Sequence, residues 1–164
     1  MSGGTAWVRR AGRLDAGGGE SILWSVAEGR RGRRWRSLRL DAHGGVVSDL
    51  LLETDPGGRW ARLELATAAG ILTLHPEPGD QEAHGNIVTG RGVVPLAFAW
   101  SPAHLLVVTG EPVAAAALAR TATDTAPGPG LVVGRDLVVE ALDAIRAPSD
   151  LPGDLPGPSW PLAV

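Results

Sequence analysis

Residues Ile71 to Trp100 read ILTLHPEPGDQEAHGNIVTGRGVVPLAFAW, and their alternation of large and small side chains is typical of β-strands joined by tight turns. Successive side chains of a strand point to opposite faces. In the last segment the bulky residues therefore share one face, namely Val94, Leu96, Phe98 and Trp100. The opposite face carries smaller side chains. We conclude that the middle of the chain forms regular hairpins with one large-residue face.

The same alternation extends to both sides of this segment. We predict strands at 6–14, 20–27, 46–54, 59–67 and 104–109, with turn residues between most of them. An alanine-rich run from Val113 to Arg120 and a later segment that opens at Asp136 carry helix signals instead. The predicted fold is mainly β (α+β): an antiparallel β-roll or open barrel of about seven to nine strands with two C-terminal helices.

Length and composition indicate a single domain. A chain of 164 residues buries roughly two thirds of the surface that it exposes when unfolded. Its 44% hydrophobic and 20% charged residues are ordinary for a globular protein. We assign residues 1–147 to one β-rich domain that includes the C-terminal helices. Residues 148–164 are assigned to a loose Pro-rich tail, in which Asp-Leu-Pro-Gly occurs twice in succession.

Three residue types are missing from the chain, which contains no Cys, no Lys and no Tyr. Disulfides, thiolate metal sites, cysteine nucleophiles, Schiff-base lysines and the lysine of a phosphate-binding loop are therefore excluded within this chain. The N-terminus lacks the pattern of a secretion signal, and no apolar run is long enough to span a membrane. We expect a cytoplasmic protein and predict no cofactor.

Three histidines form the first candidate site. His75 and His84 flank a polar loop and are expected to lie opposite each other at its base, with His104 on a later strand. Three imidazoles, or two with the carboxylate of Glu77, are suited to zinc or another divalent ion, and one imidazole is suited to acid–base catalysis. The alternative is that these are loop-flanking polar residues whose neighbouring acids only solvate the loop.

A set of aromatic side chains on separate predicted strands forms the second candidate site. Trp24, Phe98 and Trp100 are expected to face the interior of a curved sheet and to line an apolar cavity, unless they are simply part of the core. We add Trp60 and Asn86 to this ligand-binding set, although strict alternation places Trp60 on the outward face of its strand.

An arginine-rich segment from Arg30 to Arg39, centred on Trp35, is the third candidate. A cationic tract with a stacking aromatic is suited to phosphates, an anionic surface or a partner protein. The alternative is an exposed turn and the solvent face of an edge strand, where charge prevents edge-to-edge aggregation. The formal net charge of −3 and the lack of a second basic block favour this alternative, so nucleic-acid binding is not expected.

The layout from Glu20 to Val108 combines a ladder of strands, a Gly58-Arg59-Trp60 turn, a polar segment ending in Asn86 and an apolar strand holding Val94-Pro95-Leu96. In this layout the chain resembles the glycolipid-binding family of small bacterial β-roll proteins. The paired aspartates and the Thr-Asn-Thr-Leu-Pro segment of that family are absent. The resemblance implies a β-roll built from successive hairpins and a glycolipid-like ligand.

These observations favour a non-catalytic binding module for an apolar or amphipathic small molecule. Two alternatives stay open. The first is a metal-dependent or acid–base enzyme that uses His75, His84 and His104, and the second is an interaction protein that docks through the segment from Arg30 to Arg39. Assembly as a homodimer is also left open by the sequence.

Overall fold

Two β-sheets and one short helix make up the part of the chain that the computed structural model describes, which is residues 8–79, 81–119, 127–145 and 159–161. The elements in chain order are β1 (Val8–Gly17), β2 (Glu20–Gly29), β3 (Gly32–Leu40), β4 (Val46–Thr54), β5 (Trp60–Thr67), β6 (Gly70–Pro76), β7 (Glu82–Thr89), β8 (Gly92–Ala99), β9 (Leu105–Val108), α1 (Pro112–Ala119), β10 (Gly128–Val133), β11 (Val139–Ile145) and β12 (Ser159–Pro161). The predicted tail lies outside the described residues, apart from the backbone of β12.

The larger sheet is an antiparallel meander. Each strand from β1 to β7 pairs with the next one in the chain, so that the run ends at β8, and β12 pairs with the other side of β1. The sheet is open, with β12 and β8 at its two edges. The prediction of a mainly β, antiparallel architecture is therefore confirmed, but the described residues form twelve strands in two sheets instead of the seven to nine that are predicted.

The prediction of a second helix is wrong, because a smaller sheet forms in this part of the chain. The alanine-rich run forms α1 as predicted, but β10 and β11 form an antiparallel hairpin, and β10 also pairs in parallel with β9. The Asp136 carboxylate accepts a hydrogen bond from the Val138 N–H at 3.2 Å, and Leu137 has a positive φ of 64°. Asp136 thus stabilises a hairpin turn rather than a helix start. Pairing with β10 overrides the helical spacing of the residues that follow.

The core lies between the inner face of the larger sheet and the unit formed by α1 and the smaller sheet. Two rows of cross-strand partners supply most of it: Trp24, Leu50, Leu65 and Leu72 in one row, and Val26, Trp35, Leu52, Leu63 and Leu74 in the next. Val113 of α1 and Leu131 of β10 belong to the same cluster of buried residues. Each large apolar side chain buried in this way contributes about 1.5 to 3 kcal/mol.

A polar row borders this apolar core on each side. On one side, Arg39 and Ser48 face inward as cross-strand partners. On the other side lies the Arg33 row, which we define as the consecutive cross-strand partners on β2 to β5, namely Glu28, Arg33, Thr54 and Trp60. The two rows differ in how their polar atoms are satisfied, and this difference positions the candidate site.

Glu111 enters the core from the turn between β9 and α1 and accepts hydrogen bonds from hydroxyl groups at and beside the first polar row. Its side chain is fully buried. Ser37 Oγ and Ser48 Oγ donate hydrogen bonds to its two carboxylate oxygens at 3.2 and 3.1 Å. Arg39 Nε lies 3.6 Å from Glu111 Oε1, an ion-pair distance that is too long for a hydrogen bond, and Arg39 also pairs with Glu20 at 2.8 Å. This Glu111 cluster connects the small unit to β3 and β4.

Candidate functional site

Trp60 and Trp100 meet on the inner side of the larger sheet. Their ring centroids are 4.6 Å apart and their planes are inclined by 77°, the edge-to-face geometry that aromatic pairs favour. Phe98 shares the inner face two residues before Trp100 and packs against the core. Four of the five predicted ligand-binding residues therefore lie on the inner side of the sheet, and three of them, Trp60, Phe98 and Trp100, lie on or next to β5 and β8.

Trp60 faces inward because β5 begins with a β-bulge. Arg62 lies opposite Glu53, whereas Trp60 lies opposite Thr54, so Ala61 is an extra residue without a partner in the register. The extra residue reverses the alternation at this point. Ala61 is exposed, whereas Trp60 packs against the core. The outward orientation predicted for Trp60 is therefore wrong.

Trp24 lies in a different part of the inner face. It sits on β2, three strands away from Trp60 along the sheet order, and only 3% of it is exposed. The Arg10 guanidinium lies 5.9 Å from its ring centroid, within the range of a cation–π contact. Trp24 thus acts as a core residue of the sheet and does not join the pair formed by Trp60 and Trp100.

Asn86 lies on the outer face of the larger sheet. Its cross-strand partners are Thr73 and Pro95, and its strand neighbour Gly85 lies opposite the buried Leu74. The side chain of Asn86 therefore points away from the aromatic pair and does not contribute to the inner site. Pro95 lies in the edge strand β8, where its missing N–H removes a donor that a further strand would need.

The inner face of β8 remains partly open. Val94, Leu96 and Phe98 alternate along it, and we call these residues the β8 strip. Val94 is 53% exposed, and Leu96 and Phe98 are half-buried. Because Trp100 follows directly, an accessible apolar surface leads from the turn between β7 and β8 to the aromatic pair. Accessible apolar surface of this kind marks sites where ligands or partners bind.

Polar atoms of the Arg33 row lack hydrogen-bond partners. Arg33 Nε, Thr54 Oγ1 and Trp60 Nε1 are all buried, and none has a partner within the described residues. A buried polar group without a partner costs about 1 to 3 kcal/mol. Trp24 Nε1 and Arg39 Nε share this property, but in the Arg33 row three such atoms belong to cross-strand partners on adjoining strands, whose backbones are about 5 Å apart.

The charge of the Arg33 row is already balanced. Arg33 Nη2 donates a hydrogen bond to Glu28 Oε1 at 2.6 Å. The guanidinium therefore has a carboxylate partner, while its buried Nε–H makes no hydrogen bond to any described residue. Together with the Trp60 indole N–H and the Thr54 hydroxyl, the row offers hydrogen-bond donors without an excess of positive charge.

His104 extends the aromatic pair rather than the other histidines. Its ring centroid lies 5.1 Å from that of Trp100. His104 Nδ1 accepts a hydrogen bond from the Ser101 N–H at 3.0 Å and lies 2.9 Å from Ser101 Oγ. Because a backbone N–H can only donate, a neutral His104 ring carries its proton on Nε2. His104 is thus held in one orientation beside Trp100.

His75 and His84 are cross-strand partners on the outer face, as predicted. Glu77 Oε1 lies 3.6 Å from His75 Nδ1 and 3.4 Å from His84 Nδ1, and Glu82 Oε2 lies 2.9 Å from His84 Nε2. In the part of the chain that the structure describes, no group of three or more His, Cys, Asp or Glu residues is arranged to hold a metal ion. His104 lies on the inner side and does not join this pair.

The arginines of β3 are paired with carboxylates. The pairs are Arg33 with Glu28, Arg34 with Glu53, Arg36 with Asp49, and Arg39 with Glu20 and Glu111. The hydrogen bond to Asp49 and the negative charge of that residue raise the pKa of Arg36. Trp35 is only 2% exposed and belongs to the core, so it is not a stacking surface. These pairs leave little free positive charge along β3.

Thr54 was not predicted as a site residue, and Arg33 was predicted only as part of the arginine-rich segment, although the sequence contains a signal for the inward position of both. Each one ends an inner-face alternation that is otherwise occupied by core residues, with Trp35 beside Arg33 and Leu52 beside Thr54. The signal is a polar residue at a position where the alternation calls for an apolar, inward-facing one, and this signal identifies Arg33 and Thr54. The cross-strand neighbours of Arg33 and Thr54 become known only once the register of the strands is known.

Comparison of the chain with protein-family models, curated proteins and solved structures found no match. Among the described residues, no helix has the length and apolar character that crossing a membrane requires. The function is therefore argued from the geometry of the site.

Proposed function

We propose that this protein is a non-catalytic binding module for an amphipathic small molecule. Its apolar part lies against the β8 strip and the pair formed by Trp60 and Trp100. The observation that carries this proposal is the accessible β8 strip, in which Val94 is 53% exposed on the face that elsewhere forms the core. The resemblance of the layout to the glycolipid-binding family is in line with a ligand of this class.

The energetics of the site favour an alkyl chain. Each methylene group removed from water contributes about 0.8 kcal/mol, so a short chain lying along the β8 strip offsets the entropy lost on binding. Trp60 and Trp100 add large, rigid contact areas at the end of the strip. Because Trp60 also belongs to the Arg33 row, the apolar contact surface adjoins unpaired hydrogen-bond donors.

The two alternatives have less support. The imidazoles of His75 and His84 lie on the outer face with 47% and 41% of their side chains exposed, where water screens any charge that they stabilise. Docking through the arginine-rich segment would require free cationic groups, but its members on β3 already have carboxylate partners. Neither region combines accessible apolar surface with unpaired buried donors.

Two adjacent valines on β8 provide a matched test. We expect Val94→Asp to weaken binding of monolaurin at least about tenfold, because a carboxylate on the inner face would have to be desolvated against the alkyl chain. Val93→Asp should leave binding unchanged, because Val93 is 63% exposed on the outer face of the same strand. Binding is measured by titration of tryptophan fluorescence, and thermal melts of both variants control for folding.

Native mass spectrometry of untagged protein gives a second readout, because an amphipathic molecule that copurifies appears as added mass. Equal losses of affinity in Val94→Asp and Val93→Asp would show that the inner face is not the binding surface. The absence of monolaurin binding, together with no added mass, would overturn the proposed function.

A further inference from the structure

We infer that the Arg33 row binds an uncharged oxygen acceptor, such as an ester carbonyl or a hydroxyl, in the head group of the bound molecule. This inference rests on the proposed function and specifies the chemistry of its ligand. The first observation is the set of three buried, unpaired polar atoms, Arg33 Nε, Thr54 Oγ1 and Trp60 Nε1. Thr54 is only 7% exposed, so bulk water does not solvate its hydroxyl freely.

At the polar row on the opposite side of the core, the chain itself satisfies the serine hydroxyls, although Arg39 Nε has no hydrogen-bond partner among the described residues. There the hydroxyls of Ser37 and Ser48 donate to the carboxylate of Glu111, which the chain itself inserts between the sheet and α1. No described residue supplies a comparable acceptor to the three unpaired atoms of the Arg33 row. Because native proteins satisfy nearly all buried polar groups, the missing acceptor points to a bound molecule.

The charge balance selects an uncharged acceptor over an anion. Arg33 already forms a 2.6 Å ion pair with Glu28, so the row has no excess positive charge. A bound carboxylate or phosphate would lie near the Glu28 carboxylate without a cation of its own, and burying an unpaired charge is strongly unfavourable. An ester or hydroxyl oxygen accepts the same hydrogen bonds without this penalty.

Trp60 connects the two halves of the site. Its indole N–H belongs to the Arg33 row, while its ring contacts Trp100 next to the β8 strip. A molecule whose alkyl chain lies along the strip therefore has its head group next to the Arg33 row, whose members are cross-strand partners on adjoining strands about 5 Å apart. The site fits an amphipathic ester better than either a free fatty acid or a hydrocarbon.

The test uses three probes that share the same alkyl chain: laurate, its glycerol ester monolaurin, and dodecane. We expect the wild-type protein to bind monolaurin more tightly than either of the others. Thr54→Val removes the unpaired hydroxyl at nearly constant volume and should reduce this preference for monolaurin about fivefold, the loss expected for one hydrogen bond. Thr73→Val, on the outer face, is the matched control and should have no effect.

A stability measurement separates a binding role from a structural one. Because the Thr54 hydroxyl has no described partner, Thr54→Val should leave the melting temperature of the free protein unchanged or raise it. A lower melting temperature with an unchanged preference for monolaurin would overturn the inference. Preference of the wild-type protein for laurate, or equal binding of all three probes, would also overturn it while the proposed function stands. The absence of binding by every probe would overturn both.

Discussion

Replacing Arg39 with methionine is expected to lower the free energy of unfolding by about 3 to 5 kcal/mol. Arg39 is 4% exposed and lies beside Glu111, whose side chain is fully buried. Methionine fills a similar volume but leaves the Glu111 carboxylate without its cation, supported only by the hydroxyls of Ser37 and Ser48. An uncompensated buried charge is among the most destabilising single changes in a protein. Urea unfolding followed by tryptophan fluorescence measures the effect.

The sequence offers a matched control on the same strand. Arg34 pairs with Glu53 at 2.6 Å, but its side chain is 65% exposed, so Arg34→Met should cost less than about 1 kcal/mol. The double substitution Arg39→Met with Glu111→Gln should recover part of the loss, because it removes the unpaired charge. Equal costs for Arg39→Met and Arg34→Met would show that the Glu111 cluster does not hold the small unit on the sheet.

Replacing Gly32 with alanine is expected to destabilise the protein by about 4 kcal/mol and to weaken ligand binding as well. Gly32 begins β3 with a φ of 112°, a conformation that L-residues rarely adopt. A Cβ at this position would also collide with the Thr54 carbonyl oxygen and would lie 2.6 Å from the Asp55 carbonyl carbon. Since neither is a flexible side chain, the backbone that carries Thr54 has to move, and with it the Arg33 row.

The substitution Gly92→Ala separates the cost of backbone strain from the cost of the collision with Thr54. The φ of 129° at Gly92 is similarly unfavourable for alanine, but a Cβ there would meet no atom within 4 Å. Gly92→Ala should therefore cost only the backbone strain, about 1 to 3 kcal/mol, and leave Thr54 in place. Chemical unfolding of both variants and monolaurin titration provide the comparison. If Gly92→Ala costs as much as Gly32→Ala, the close approach to Thr54 has no energetic importance.

Most strands of the meander could be predicted from the sequence because they alternate and are separated by turn residues. The arginine-rich segment was interpreted at most as an edge strand, whereas β3 lies between β2 and β4. Cross-strand pairing of His75 with His84 followed from their positions at the base of one hairpin. The orientation of Trp60 could not be predicted, because one inserted residue, Ala61, reverses the alternation without any signal in composition. Local patterns therefore predict where most strands lie, but not always which face of the sheet a side chain is on.

The remaining errors arise from contacts between distant segments. The segment after Asp136 has apolar residues at helical spacing. It forms the strand β11 because it pairs with β10, which in turn pairs with β9. Glu111 was overlooked, although a lone acid between the apolar strand β9 and an alanine-rich helix is an unusual feature. Its partners Ser37 and Ser48 lie 74 and 63 residues away in the chain. No local pattern links residues at that separation.

This separation also has a kinetic consequence. Hairpins of neighbouring strands close short loops and form early, whereas contacts between distant residues form only after a large loss of chain entropy. We therefore expect the meander from β1 to β8 to assemble first and the Glu111 cluster to form after the rate-limiting step. In stopped-flow experiments Arg39→Met should accelerate unfolding and leave the refolding rate nearly unchanged. In that case the Glu111 cluster controls the rate of unfolding, and hence the lifetime of the folded state, but not the rate of folding.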